Sequence, residues 1–568
     1  MKAAGISFFP GSYRKEVTEA LDKMRRGNIA ARIWSGDHRV WKPSPVEISN
    51  RLGWLHAPVE TLANASGICA SLAHFTGGRF DHVVLLGMGG SSLAAEVFSN
   101  VFGSAPGFPR LIIVDTTDPV TIDSVAAKIN PVTTLFIVAS KSGTTLEVVS
   151  LFHYFYNLTA AQPGLRAREH FLFITDEGSP MIGQALSLQM SHIFSNNPDI
   201  GGRYSALSLA GIIPAALIGL QIDKLLQNAA AVAMREKESC CAGRCDSGGM
   251  LLGAALATPA RHGRDKLTVV LPRRWRSFAD WLEQLVAESL GKEGAGILPV
   301  VNEPPLEVGH YSCDRLFAFF CRAGDKDDGR IKKLADAGHP VLKIDIDDKY
   351  DLGGQMFLWE MATAVAGHLM GVNPFDQPDV EATKKHTARL IAEGGKTQGL
   401  SQERPSLTAN GMEIYGDVSG STPSEALDDF LAGLAQNGYV GLQDYLSPSA
   451  GIARALDELR GAILRKYKTA VTIGRGPRYL HSTGQLHKGD AGLGLFIQFT
   501  GRDKMDLDIP EAPGGGQSVM TFGRLRQAQA GADRRALVEK GRRVLRIHFL
   551  KNAAAGIRKL AQALKPSW

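Results

Sequence analysis

The sequence predicts an α/β fold in which parallel sheets are covered by helices on both faces. Short apolar runs, each long enough for one buried strand, recur at residues 81–86, 111–115, 134–140 and 171–176. Helical patterns fill the intervals between them, and buried strands that alternate with helices form parallel, doubly wound sheets. The 568 residues exceed what a single hydrophobic core holds, so several domains are expected.

The composition is that of an ordinary soluble globular protein, with 44% hydrophobic and 21% charged residues. The net charge of +6 is small for this length and suits an anionic metabolite as well as any other partner. Only Cys240, Cys241 and Cys245 cluster among the six cysteines, so reduced thiols are expected. The most apolar segment, residues 206–222, is short and contains Pro214, which favours a buried helix over a membrane span. The first residues lack a signal peptide pattern, and a cytoplasmic protein is predicted.

Five regions are predicted along the chain. They are an N-terminal extension (1–45), a first sheet domain (46–222), a second α/β domain (223–390), a turn-rich linker (391–425) and a C-terminal accessory α/β domain (426–568). The most basic helical pattern, near the C-terminus, lacks interleaved aromatic residues, so nucleic acid is not an expected partner.

A predicted helix that begins near Trp281 carries two polar side chains one turn apart. Gln284 and Glu288 share a helix face, and Gly291 ends the helix directly after Glu288. A carboxylate on a rigid helix beside mobile glycines suits a general base. The same pattern also fits an amphipathic helix whose glutamates are solvated surface charges.

Two turns that follow predicted strands have the residues of phosphate-binding loops. Gly89, Gly90 and Ser91 lie where the strand at 81–86 gives way to a helix, and free N–H groups at such a place attract anions. This turn lacks the last glycine of the dinucleotide fingerprint. The second turn follows the strand at 134–140 and carries Ser140, Lys141, Ser142 and Thr145. Its hydroxyls predict a monophosphate cradle, with an ordinary Ser/Thr-rich helix cap as the alternative.

Together with GGRYS at 201–205, these turns resemble the sugar isomerase domain of the glucose-6-phosphate isomerase family. The resemblance covers residues 46 to about 390 and implies two flavodoxin-like sugar isomerase domains with an active site between them. It implies that Ser140, Ser142 and Thr145 hold the sugar phosphate and that Gly90 and Ser91 lie close to the substrate. It also implies that Arg203 stabilises an enediolate.

Two later segments resemble the family's catalytic segments. AESLGKEG resembles the segment whose glutamate moves a proton between C1 and C2, which implies Glu288 as the base and Gln284 as a lining residue. GVNPFDQPDVEATK, residues 371–384, resembles the C-terminal signature, which implies substrate contact by Gln377 and catalysis by Lys384. Asp379 stands where the family has a small residue.

The resemblance implies interconversion of glucose 6-phosphate and fructose 6-phosphate through a cis-enediol, a step of glycolysis and gluconeogenesis. No metal and no cofactor are expected, the partner is a small sugar phosphate, and a homodimer is the default assembly. Two alternatives are an isomerase that also accepts mannose 6-phosphate and a sugar-phosphate sensor without catalysis.

The family's ring-opening histidine has no clear counterpart, and His310, His339 and Arg315 are all open candidates. A polar run from His481 to Lys488 fits an anion site, a completion of the active site or a polar interface between domains. This tail is similar to the isomerase portion of bifunctional transaldolase and glucose-6-phosphate isomerase proteins. Only about 45 residues precede the first sheet domain, too few for a transaldolase barrel, so no aldol transfer is expected.

Overall fold

The computed structural model describes residues 1–3, 5–241, 247–322, 329–380 and 403–564, together with residues 383, 385–387 and 389. Three main sheets with covering helices lie within these ranges. In this described part of the chain, no helix is both long enough and apolar enough to cross a membrane.

The strands of the described residues, in chain order, are β1 (Lys2–Ala3), β2 (Ile6–Phe9), β3 (His82–Gly87), β4 (Arg110–Val114), β5 (Thr134–Ala139), β6 (Phe171–Asp176), β7 (Ile193–Asn196), β8 (Lys266–Val270), β9 (Leu298–Val300), β10 (Arg315–Arg322), β11 (Val341–Ile346), β12 (Leu407–Ala409), β13 (Met412–Tyr415), β14 (Tyr439–Asp444), β15 (Ala470–Arg475), β16 (Gly494–Gly501), β17 (Asp508–Pro510), β18 (Ser518–Thr521) and β19 (Arg543–Phe549).

The α-helices within the same ranges are α1 (Arg14–Arg26), α2 (Ile29–Trp34), α3 (Ala57–Ala63), α4 (Ala65–Thr76), α5 (Leu93–Phe102), α6 (Pro119–Lys128), α7 (Leu146–Ala160), α8 (Pro180–Ser187), α9 (Leu209–Leu217), α10 (Ile222–Cys241), α11 (Gly248–Ala260), α12 (Phe278–Leu290), α13 (Arg330–Asp336), α14 (Asp351–Met370), α15 (Pro423–Ala432), α16 (Ala450–Tyr467), α17 (Gly484–Gly489), α18 (Phe522–Glu539) and α19 (Ala553–Ala563).

The first sheet is wholly parallel, in the order β4-β3-β5-β6-β7. Its apolar strands are buried between helices on both faces, which is why they read as continuous hydrophobic runs. Both phosphate-type turns follow carboxyl ends of its strands, after β3 and β5. The predicted α/β fold class is confirmed.

The second sheet has the parallel strands β9, β8, β10 and β11, and β2 pairs with β11 in the antiparallel direction. The predicted N-terminal extension therefore contributes strands to this sheet. Ile6 and Phe8 are buried there, and the indole of Trp41 donates a hydrogen bond to the Ala364 carbonyl at 2.8 Å. The extension is thus packed onto α14 by apolar burial and a buried hydrogen bond.

The third sheet has four parallel strands in the order β19-β16-β14-β15, and β13 and β12 continue it as antiparallel strands beside β19. Strands β12 and β13 lie inside the segment predicted as a linker. They form because Met412 and Ile414 alternate with polar residues and bury their side chains in the third core. The described end of that segment is therefore part of the C-terminal domain.

The C-terminal domain packs against both other units. Ile509 and Phe522 join the apolar cluster of α7 and the first sheet. Leu486 joins a cluster with Ala287 of α12 and Leu298 of β9. This packing brings α7, α12 and α17 together at one junction. The domain limits themselves remain a prediction.

Candidate active site

Glu288 and Arg203 meet at this junction. Glu288 lies in the last turn of α12, which ends at Gly291 as predicted. Its Oε1 atom is 3.3 Å from Arg203 Nη1, and the exposed fractions of the two side chains are 13% and 2%. Gln284 Nε2 donates to Glu288 Oε2 at 3.0 Å. A partly desolvated carboxylate therefore sits between a buried guanidinium and an amide donor.

The guanidinium of Arg203 is fixed on every side. Its Nε donates to Ser289 Oγ at 2.7 Å and its Nη1 to Gln377 Oε1 at 2.9 Å. Its Nη2 donates to the carbonyls of Pro374 at 2.6 Å and Asp376 at 2.9 Å. A planar fork held this firmly is a preorganised positive charge beside Glu288.

The first glycine turn touches the turn that carries Arg203. A Cβ atom on Gly90 would lie 2.0 Å from the Gly202 carbonyl oxygen, so only glycine permits this approach. Gly89 has a φ of +54°, and a Cβ atom there would lie 2.8 Å from Gln284 Nε2. Gly90 and Ser91 therefore border the Glu288 site, in the short helix Gly89–Ser91.

The predicted cradle hydroxyls lie together after β5. Ser140 Oγ and Thr145 Oγ1 are 3.0 Å apart, and Gly143 N donates to Ser140 Oγ at 3.1 Å. Ser142 Oγ accepts from Thr144 N at 3.3 Å and is open to solvent. Thr145 is the N-cap residue of α7, directly before its first residue Leu146. This loop thus presents hydroxyls beside a helix start.

Lys141 does not join these hydroxyls. Its Nζ pairs with Asp176 at the end of β6 and donates to the Pro198 carbonyl at 2.7 Å. The lysine therefore links the cradle loop to the end of the neighbouring strand β6, because its ammonium group is paired with the Asp176 carboxylate. Lys384 lies outside the described residues.

The three candidates for the missing ring-opening group lie elsewhere. Arg315 pairs with Glu303 at 3.0 Å and donates to Thr268 in the second sheet. His339 packs on Phe317, and His310 ends the short helix Val308–His310. Among the described residues, no contact joins any of the three to Arg203, Gln284 or Glu288.

A histidine of the C-terminal domain borders the site instead. The backbone carbonyl of His481 accepts from Gln284 Nε2 at 2.8 Å, and its Nε2 atom is 2.9 Å from Glu147 Oε1. Gln529 Nε2 also donates to Glu147 Oε1, at 2.7 Å. Burial alone would raise the pKa of Glu147, but the charge and hydrogen bond of His481 bring it below its ordinary value. Glu147 thus orients the imidazole as an ionised carboxylate.

Sequence reasoning noted the polar run at His481 but left its role open. Gln284 and His481 are 197 residues apart in the chain, and no local pattern reveals such a contact. The run also proves to be structured: His481 ends the short helix Arg478–His481, and α17 spans Gly484–Gly489.

Lys292 is a residue that sequence reasoning missed, although it stands only four residues after Glu288, just beyond the end of α12. It is fully buried, and its Nζ donates to the Asn373 carbonyl and pairs with Asp376 Oδ1, both at 2.8 Å. Burial and the nearby charge of Arg203 lower its pKa to about 8. Lys292 therefore holds the loop that carries Gln377 against the end of α12.

Asp379, which departs from the family pattern, contacts the C-terminal domain. Gln485 Nε2 donates to Asp379 Oδ2 at 2.7 Å and to the Gly291 carbonyl at 3.0 Å. Lys540 Nζ pairs with Asp379 Oδ1 at 2.6 Å. The carboxylate at this position is thus part of the interface that carries His481 to the site.

Comparison with known proteins agrees with these motifs. The model of the phosphoglucose isomerase family matches residues 62–298. A probable glucose-6-phosphate isomerase of Methanococcus maripaludis is 28% identical over 348 residues, which are 54% of this chain and 78% of the relative. A glucose-6-phosphate isomerase of Geobacter sp. strain M21 is 26% identical over 460 residues, which are 68% of this chain and 84% of the relative.

Solved structures show the same fold. The crystal structure of a glucose-6-phosphate isomerase from Chlamydia trachomatis superimposes with a TM-score of 0.56 at 18% identity, over 69% of this chain and 89% of that chain. A hypothetical protein from Thermus thermophilus superimposes with a TM-score of 0.58 at 22% identity, over 68% of this chain and all of that chain. The family model, the relatives and the motifs thus agree that this chain is similar to phosphoglucose isomerases, and the family model covers residues 62–298.

Proposed function

We propose that this chain interconverts D-glucose 6-phosphate and D-fructose 6-phosphate through a cis-enediol. The relatives are named for this activity. The observation that carries the proposal is the carboxylate of Glu288 at 3.3 Å from the buried, fully engaged guanidinium of Arg203. An enolisation needs these two groups: a base beside the carbon that loses its proton, and a fixed positive charge for the oxygen that becomes negative.

The isomerisation step divides among the residues of the junction. Ser140, Ser142 and Thr145 bind the phosphate, so that binding energy remote from the reaction orients C1 and C2. Glu288 removes the proton from C2 and returns it to C1, while Arg203 stabilises the enediolate oxygen. Gly90, Ser91, Gln284 and Gln377 are proposed to border the substrate, and Lys141 is proposed to hold the cradle loop in place through its pair with Asp176.

Ring opening needs a proton for the ring oxygen as its bond to the anomeric carbon breaks. His481 is proposed to donate this proton, because it borders Gln284 and Glu288 and its imidazole is oriented by the buried carboxylate of Glu147. Lys384, which the family resemblance implies as a catalytic residue, is proposed to assist the same step. The C-terminal domain then completes the active site.

A homodimer in the cytoplasm is proposed for this enzyme. A closed twofold dimer is the commonest assembly of soluble enzymes and the default for this family. Light scattering coupled to size-exclusion chromatography measures the assembly directly.

Two measurements test the function: the conversion of fructose 6-phosphate to glucose 6-phosphate, and the exchange of the C1 proton with solvent. Glu288→Gln is expected to lower the conversion of fructose 6-phosphate at least about a hundredfold, and to lower exchange of the C1 proton with D2O equally, because both need the base. Glu293→Gln, which changes a surface partner of Lys42, is the matched control. Wild type that binds both sugar phosphates without turning them over would refute the proposal.

A further inference from the structure

The third sheet has a topological switch point between the neighbouring strands β14 and β16, because the chain leaves them toward opposite edges of the sheet. From β14 the chain passes through α16 to β15 on one side, and from β16 it passes through α18 to β19 on the other. In open parallel sheets, ligands bind outside the carboxyl ends of strands at such a switch point. The loops that follow β14 and β16 border this place, and the loop that follows β19 is adjacent.

A cavity of about 620 Å³ opens between these three loops. Its walls come from residues 445–449, 501–504 and 549–554, with Val120 of α6 contributed by the first domain. This volume is in the range of sites for small metabolites. The cavity lies on the third sheet, whereas the substrate loops follow strands of the first sheet. We call it the C-terminal crevice.

The C-terminal crevice has an excess of positive charge. Arg502, Lys504 and Lys551 line it, and the described residues offer none of them an ion pair. A fourth cation, Arg526, is buried and paired with Asp118 and Asp503. These two carboxylates share one guanidinium, so the four cations together leave an excess of two positive charges, and the described residues show no ion pair for the other three cations. Such a field attracts an anion, and arginine with lysines suits the several oxygens of a phosphate.

The floor of the crevice is also linked to the active site. Thr117, next to Asp118 in the chain, donates to Gln529 Oε1 at 2.9 Å. Gln529 lies one helical turn after Arg526 on α18 and donates to Glu147, the partner of His481. We propose that the C-terminal crevice binds a phosphorylated small metabolite at a site separate from the substrate site. This inference does not depend on the chemistry proposed for Glu288.

Isothermal titration of the full chain with inorganic pyrophosphate, without divalent cations, tests the site. In the double variant Ser140→Ala/Thr145→Ala, which removes the cradle hydroxyls, one pyrophosphate per chain is expected to remain bound. Adding Arg502→Gln/Lys504→Gln/Lys551→Gln is expected to weaken that binding at least about thirtyfold, because three charge contacts are lost together.

The control Arg110→Gln/Lys332→Gln/Lys333→Gln removes the same charge from exposed positions outside the cavity and is expected to change the affinity less than about threefold. When Ser140 and Thr145 are unchanged, the triple variant Arg502→Gln/Lys504→Gln/Lys551→Gln should bind one pyrophosphate per chain where the wild type binds two. It should also keep its isomerase turnover, which shows that it folds. Absence of the cradle-independent site, or an equal loss in the control, would overturn the proposal.

Discussion

Replacing His481 should separate ring opening from isomerisation. In His481→Asn, the kcat/KM for fructose 6-phosphate is expected to fall about 100- to 1,000-fold, within the range that a positioned general acid contributes. The substitution keeps the backbone carbonyl that Gln284 contacts, so the Gln284–Glu288 pair is retained. The loss therefore reports on the imidazole and its 2.9 Å contact with Glu147.

The discriminating substrate is 5-deoxy-D-fructose 6-phosphate, which lacks the hydroxyl that closes the furanose ring. Its C1 proton exchange in D2O, followed by NMR, needs Glu288 but no ring opening. His481→Asn is expected to change this exchange less than about threefold, whereas Glu288→Gln should abolish it with both substrates.

Glu147→Gln tests the same site through the partner of the imidazole. The amide keeps the size of the side chain but removes the charge that orients His481, so we expect about a tenfold loss with fructose 6-phosphate and little change with the open-chain analogue. An equal loss with both substrates would show that His481 only supports the fold of the junction. Full activity of His481→Asn with fructose 6-phosphate would remove it from the mechanism.

Two further predictions concern stability. Burial, followed by the charge of Asp280, raises the pKa of Glu283 from its ordinary value of 4.5 to about 8. Between pH 4.5 and pH 8 the folded state therefore keeps a proton on this carboxyl that the unfolded state has released. The contribution of this group to the free energy of unfolding is therefore fully present below pH 4.5 and is lost as the pH rises to 8. Glu283→Gln removes the ionisable group, so calorimetry should show a Tm higher by about 2–4 °C at pH 9 and nearly unchanged at pH 5. Gln485→Ala leaves the Gly291 carbonyl and Asp379 without their buried amide partner and should lower the free energy of unfolding by about 2–3 kcal/mol in urea titrations, whereas Gln527→Ala, at an exposed contact, should cost less than about 0.5 kcal/mol. Equal costs of the two glutamine changes would contradict the docking role of Gln485.

The sequence predicted the parts of this structure that depend on local pattern. Runs of apolar residues marked four strands of the first sheet, β3 to β6, to within one or two residues, because buried parallel strands are apolar on both faces. The short edge strand β7 was not predicted. The end of α12 followed from Gly291, and this placed Glu288 in a last turn beside a loop.

Contacts between distant segments were beyond such reasoning. The pairing of β13 with β19 depends on a partner strand about 130 residues later, and β12 joins the sheet only through β13, so their turn-rich surroundings suggested a linker. In the sequence, Asp379 was only a departure from a family pattern. Its contact with Gln485 could not be predicted, because Gln485 belongs to another domain. The ion pair of Lys141 with Asp176 likewise could not be predicted, because it depends on where the end of the neighbouring strand β6 lies.

The position of His481 rests on an ion cluster as well as on apolar packing. Arg478, three residues earlier, pairs with Glu96, with Asp115 at 3.3 Å and with Asp280 at 3.9 Å. Burial raises the pKa of Asp280 to about 6 even beside this guanidinium, so removing Arg478 would leave several carboxylates uncompensated. The C-terminal domain therefore supplies the cation that the first two domains need at their junction, and the same short helix ends with the histidine that borders Gln284.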